Sequence, residues 1–197
     1  KEYRRQRQMC IRDSTYGCES GGDPKNIPDL TYENFLNFHR TYYHPSNSYI
    51  YLYGNMDMEE KLAFLDEHYL SHFDYLDVDS VIQEQKAFGA CQDVTLEYPV
   101  AENEGEEDNT YLSYNMVVGN AADSQMAMAF EVLDYALLSA PGAPLKQALL
   151  DVKAGKDVYG SYDDGILQPY FTVIAKGSNP DRKEEFVSVI RQVLGDI

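Results

Sequence analysis

Between Thr31 and Phe73 the apolar positions recur first with a helical period, then with a strand period, then with a helical one again. Phe35, Phe38 and Tyr42 lie three and four residues apart, a spacing that gathers side chains on one face of a helix. Thr31 stands where an N-cap belongs, with Leu30 and Phe35 placed to close over it as a hydrophobic staple. His44-Pro45 ends this helix, since proline disfavours helical backbone in the residue before it. Tyr49, Tyr51 and Tyr53 then alternate with Ile50 and Leu52, which predicts a strand with a tyrosine face and an aliphatic face, and Gly54-Asn55 supplies its turn. Asp57 with Glu60 forms a capping-box-like start. Met58, Leu62, Leu65 and Tyr69 follow as the buried stripe of a second helix, and the unit closes near Phe73.

Residues 74–92 show no sustained period and read as a linker. Beyond them the pattern predicts a strand at 94–100 (VTLEYPV), a solvated acidic loop, and a second strand at 111–119 (YLSYNMVVG). Met126, Phe130, Leu133 and Leu137 mark a helix stopped by Pro141-Gly142, and Leu145, Leu149 and Val152 a shorter one. Residues 157–164 and 167–177 read as an antiparallel pair. Asn179-Pro180 places a cap and a first-turn proline before a last helix through Phe186, Val189, Ile190 and Val193, which is still running near Ile197. Upstream of Thr31, the stretch 23–30 (DPKNIPDL) is a loop rich in turn formers. The fold class expected is α+β, with mostly antiparallel sheet and helices packed on one face.

Composition narrows the function classes. The chain has 197 residues, 44% hydrophobic and 25% charged, enough for one large domain or two small ones. A formal charge of −17 argues against a nucleic-acid or anionic-membrane surface, which needs clustered Lys and Arg. Cys10, Cys18 and Cys91 form an odd, irregularly spaced set, which points to neither a disulfide framework nor a cysteine zinc site. No apolar run approaches the ~18 residues of a membrane span. The first thirteen residues carry Lys1, Arg4, Arg5, Arg7 and Arg12 against only Glu2 and Asp13, whereas all that follows is acidic. That contrast reads as a non-native or artefactual head over residues 1–13 rather than a basic arm.

Candidate chemistry is sparse. His68 and His72 stand four apart, the spacing a zinc-binding helix uses, yet the positions where a general base would sit hold Tyr69 and Ser71. The pair reads as ordinary helix-end histidines. His39 and His44 flank a helix end and share no face. Ser20 and Ser46 lack the glycine pattern of a nucleophile elbow, and Gly21-Gly22 is followed by no Lys-Ser or Lys-Thr, so a tight turn accounts for it. Seventeen tyrosines with no tryptophan could line a peptide-binding wall at Tyr49, Tyr51 and Tyr53, although packing is the commoner role. The stretch Glu102 to Asp108 could steer basic peptides, but a solvated loop is the plainer reading.

One resemblance is long. Ser20-Gly21-Gly22-Asp23-Pro24, Ile27-Pro28-Asp29-Leu30-Thr31-Tyr32-Glu33, Phe38-His39 and Tyr42-Tyr43-His44-Pro45-Ser46-Asn47 resemble a run in insulinase-type zinc metallopeptidases of the presequence-protease subfamily. Tyr111-Leu112-Ser113, Leu137-Leu138 and Ala143-Pro144-Leu145-Lys146-Gln147-Ala148-Leu149-Leu150-Asp151 are similar to the opening of the next domain in the same proteins.

The resemblance implies paired two-layer α/β domains closing around a peptide chamber, with zinc only in the first domain. There the metal is bound through an H-x-x-E-H motif and a downstream glutamate. This chain would lie after all of them: 14–73 as the C-terminal part of the catalytic-type domain, 74–92 as linker, and 93–197 as the N-terminal part of the non-catalytic domain. No residue of the chain is then assigned to catalysis or metal binding, and substrate-binding residues are left unassigned. The parent is expected to be a zinc endopeptidase degrading short unstructured peptides, with this piece inactive scaffold and chamber wall carrying no zinc of its own. The alternative is a non-catalytic homologue serving as a structural or peptide-binding subunit. Expected partners are peptide substrates and the remaining domains of the same polypeptide. The expected compartment is the cytoplasm for a bacterial source and an organelle matrix for a eukaryotic one.

Overall fold

The structure, a computed structural model, describes residues 14–18, 21–101 and 105–197. The basic head and Glu102–Glu104 of the acidic stretch lie outside the described residues. The chain divides into two compact units, one of residues 21–82 and one of residues 14–18 with Gln83–Ile197.

In the first unit, local sequence signals act as expected. Thr31 Oγ1 accepts a hydrogen bond from the Asn34 amide (3.1 Å) and opens α1, Tyr32–Tyr42. Asp57 Oδ1 accepts from the Glu60 amide (3.0 Å) and opens α2, Met58–His68. Each cap satisfies one of the amide donors that the first helical turn leaves unpaired. The expected burial of the stripes does not follow: neither helix contains a buried residue, and Phe35, Phe38 and Leu62 are 68%, 59% and 55% exposed. The predicted strand at Tyr49–Tyr53 is likewise not paired in any ladder among the described residues. The causes are shared, because an apolar stripe and a strand edge both need a second layer, and residues 21–82 contain two helices and no sheet.

The second unit has that layer. Strands β1 (Thr110–Val117), β2 (Asp157–Asp163) and β3 (Tyr170–Ser178) form an antiparallel sheet in the order β1-β3-β2. Helices α3 (Ser124–Asp134), α4 (Pro144–Asp151) and α5 (Lys183–Asp196) accompany it. This confirms the α+β class. The core joins Leu138, Leu145, Leu149, Phe171, Phe186 and Ile190, each no more than 2% exposed. The stretch 94–100, expected as a strand, is outside the sheet. Instead the Tyr98 hydroxyl donates to the Asn109 carbonyl, and its ring meets Tyr111 edge-on at 5.8 Å.

Two features bring helix and sheet together. After Asp134 the helix widens into a π-turn, Tyr135–Ser139, which buries Leu137 and Leu138 side by side. Opposite it, Gly160 leaves room for the approach: a Cβ there would lie 2.2 Å from the Thr172 carbonyl oxygen and 2.4 Å from Leu138 Cδ1. Gly160→Ala is therefore expected to destabilise this unit by about 1–3 kcal/mol through overpacking. Gly195→Ala, where nothing lies within 4 Å, should be neutral or stabilising by up to ~1 kcal/mol. Urea unfolding followed by tyrosine near-ultraviolet circular dichroism distinguishes the two.

Candidate functional site

The four histidines fall on 21–82, and their surroundings are aromatic rather than acidic. The His39 ring stacks on Tyr43 at 4.8 Å and 9°. His44 Nδ1 accepts from the Ser46 amide (3.2 Å), capping a short 3-10 turn, Pro45–Asn47, while its ring stands edge-on to Phe73 at 5.3 Å. His68 packs against Phe64 at 4.6 Å.

The helical spacing expected to align His68 with His72 is not realised. Helix α2 ends at His68, Tyr69 leaves helical backbone (φ −140°, ψ −67°), and His72 belongs to a separate 3-10 turn, Leu70–His72. Tyrosine at the end of the stripe, rather than another helix former, gives no sign of this break in the sequence. Among the described residues no three His, Cys, Asp or Glu side chains are placed to hold a metal ion.

The serine and glycine candidates resolve into turns. Ser46 Oγ accepts from the Leu76 amide (3.1 Å) and Asn47 Oδ1 from the Ser80 hydroxyl (2.6 Å), tying the segment after α2 back to the turn after α1. Gly22 adopts φ +78° against the Ile27 side chain, a left-handed backbone that glycine accepts without strain. Ser20 is outside the described residues. Tyr49, Tyr51 and Tyr53 are all exposed, and the last two rings lie parallel with centroids 6.5 Å apart, so the expected tyrosine face exists as a bare aromatic surface.

In the second unit, periodicity gave no warning of a polar clamp at one end of the sheet. Asp108 has φ +58°, and its amide donates to Asn179 Oδ1 (2.8 Å) while Asn179 Nδ2 donates to Asp108 Oδ1 (2.8 Å). Lys156 Nζ adds an ion pair to Asp108 Oδ2 at 3.2 Å. Asn179, read from sequence as a helix cap, makes no side-chain cap bond and spends its carboxamide here. Its hydrogen bond, followed by that of Lys156 and the lysine charge, holds the Asp108 carboxyl below the usual carboxylate range.

Asp134 shows the opposite shift. Its Oδ1 is buried without a hydrogen-bond partner among the described residues, and burial raises its pKa. Nearby, an apolar groove of about 240 Å³ runs between Met116, Phe130, Leu133, Leu137, Phe171 and the end of α5. No helix among the described residues is long and apolar enough to cross a membrane.

Residues 29–197 match the family described as the peptidase M16 inactive domain. The chain is 45% identical over 195 residues to Protein HypA of Clostridium perfringens, a match covering 99% of this chain and 20% of that protein. It is 35% identical to presequence protease 1, chloroplastic/mitochondrial, of Arabidopsis thaliana, and 30% identical to the mitochondrial presequence protease of Xenopus laevis. Each of these two matches covers 95% of this chain and 18% of the relative. The chain thus spans about a fifth of the length of the curated relatives it matches.

The clamp generates a pH prediction. A carboxyl whose folded pKa is depressed contributes stability that is present above its unfolded pKa and lost as pH falls through the folded value. Below about pH 4 the melting temperature of the natural sequence should therefore fall more steeply than that of Asp108→Asn, which tolerates the same left-handed backbone. Parallel melting curves for the two proteins between neutral and acid pH check this.

Proposed function

Since the chain belongs to the M16 peptidase family, with metallopeptidases of the presequence-protease type among its relatives, we propose that it is an internal piece of a zinc-dependent endopeptidase that degrades short unstructured peptides. The match of 29–197 to the inactive-domain family, together with relatives named as presequence proteases, is the observation that carries this reading. Residues 14–73 are assigned to the end of the catalytic-type domain, 74–92 to the junction, and 93–197 to the beginning of the non-catalytic domain.

The piece acts as scaffold. Its described residues offer no metal donor set, and where Glu would be needed between and beside the paired histidines the chain has Tyr69, Leu70 and Ser71. Zinc, when bound elsewhere in the parent, would supply an activated water and polarise the scissile carbonyl. The chain's own contribution is mechanical: a rigid sheet-and-helix body that forms chamber wall, and two capped helices and an aromatic stretch that complete the neighbouring domain. The bare stripes of α1 and α2 support this division, because such faces are closed by a further layer in a finished domain. The parent's peptide substrates and its remaining domains are the partners. The names of the plant and frog relatives, chloroplastic/mitochondrial and mitochondrial, support an organelle location for a eukaryotic source; for a bacterial source the proposed compartment is the cytoplasm.

The test has two arms. The gene is read upstream of the Ser14 codon, and the 197-residue chain is assayed alone and as part of the extended frame on an unstructured peptide with zinc. An upstream frame carrying H-x-x-E-H, with cleavage by the extended protein that a chelator abolishes and none by the chain alone, is the expected result. An upstream frame lacking the motif, or an extended protein inert with zinc, overturns the peptidase reading in favour of a structural or peptide-binding homologue.

A further inference from the structure

The loops at one end of the second unit's sheet carry two carboxamides whose partners lie far away in sequence. Asn120 follows β1 and Gln168 precedes β3, and the loops are locked together by the Val118 amide on the Pro169 carbonyl (2.8 Å) and the Ala121 amide on the Leu167 carbonyl (2.9 Å). Gln168 Oε1 accepts from the Gln85 amide (2.6 Å), and Gln168 Nε2 donates to the Gln85 carbonyl (3.0 Å). One side chain thus satisfies both main-chain groups of a single residue, as one rung of a β-ladder would. Beside it, Asn120 Nδ2 donates to Glu84 Oε1 (2.5 Å), while Asn120 Oδ1 is held by the Ala122 amide (2.9 Å).

We propose that Gln168, supported by Asn120, is a main-chain-reading clamp for an extended polypeptide segment, and that its resident occupant is the chain's own connector at Glu84–Lys86. Three observations favour this occupant over a passing contact. Both Gln168 bonds go to the backbone of Gln85, so this part of the clamp does not depend on the identity of the occupant's side chain. The clamp is mounted on loops fixed by ladder-like bonds and by Pro169, which is itself buried. The connector enters the second unit at Gln83, next to the clamped residues. Gln168 is therefore a positioning residue: it sets where the connector becomes part of the sheet-bearing body. This holds whether or not the parent is a peptidase.

Lys86 makes the clamp measurable, since trypsin can cut there only when the local backbone opens. Two ordinary hydrogen bonds lost correspond to roughly a tenfold to thirtyfold change in local opening. In the full 197-residue chain, Gln168→Met keeps length and bulk but cannot make either bond. It should speed exchange of the Gln85 amide and cleavage at Lys86 by at least about tenfold, with β3 amides unchanged. Gln85→Ala removes the occupant's own bond from Nε2 to the Lys86 carbonyl (3.0 Å) but neither bond to Gln168, and should therefore raise both rates by no more than about fivefold. Equal rates in the natural chain and Gln168→Met would overturn the proposal. So would release by Gln85→Ala as large as that expected of Gln168→Met, a result that also decides the matter should Gln168→Met fail to fold.

Discussion

Strand β3 is the member on which the rest of the second unit depends. It is hydrogen-bonded on both sides, to β1 from Thr110↔Ser178 to Val117↔Tyr170 and to β2 from Asp157↔Lys176 to Asp163↔Tyr170. Tyr170 through Ala175 are all buried, on both faces of the strand. Alternate side chains Phe171, Val173 and Ala175 enter the helix-side core with Leu145, Leu149, Phe186 and Ile190. A continuous apolar run is what a strand covered on both faces requires. The close approach of Leu138 at Gly160 and the Asp108–Asn179 clamp both fasten onto strands that β3 holds in place.

Residues 21–82 show what the same physics gives without such a strand. Capping, staple and helical period are all in order, yet α1 and α2, 11 residues each, expose their apolar stripes. Helices of this length are marginal in water unless a face is buried. An apolar helix face is closed by packing on a second layer, and residues 21–82 supply none. The two units thus differ in kind: 83–197 has a buried core and 21–82 has exposed apolar faces.

Local interactions were legible in sequence and tertiary ones were not. Thr31 and Asp57 announced their helices because a cap acts within three residues, and residues 157–177 announced a hairpin-like pair because the turn lies between its strands. Tyr49–Tyr53 and 94–100 have strand periods, but pairing needs a partner that periodicity cannot name. His68 and His72 failed as a helical pair because the helix ends at His68 and Tyr69 breaks the backbone, leaving His72 on a separate 3-10 turn. Asn179 stands at the expected cap position before Pro180, but its carboxamide forms a reciprocal bond to Asp108, a contact across 71 residues that no local pattern encodes. The absence of any assigned catalytic residue followed from the resemblance and from missing general bases at the histidines, not from fold.

The account rests on an unequal division of the molecule: a self-sufficient core in 83–197 and a unit without one in 21–82. Amide hydrogen exchange along the whole 197-residue chain tests that most directly. Exchange through β3 should be the slowest in the molecule, limited by unfolding of the second unit, while α1 and α2 exchange close to the rate of unstructured peptide. Protection of α1 and α2 equal to that of β3 would contradict it, since residues 21–82 would then possess a core of their own.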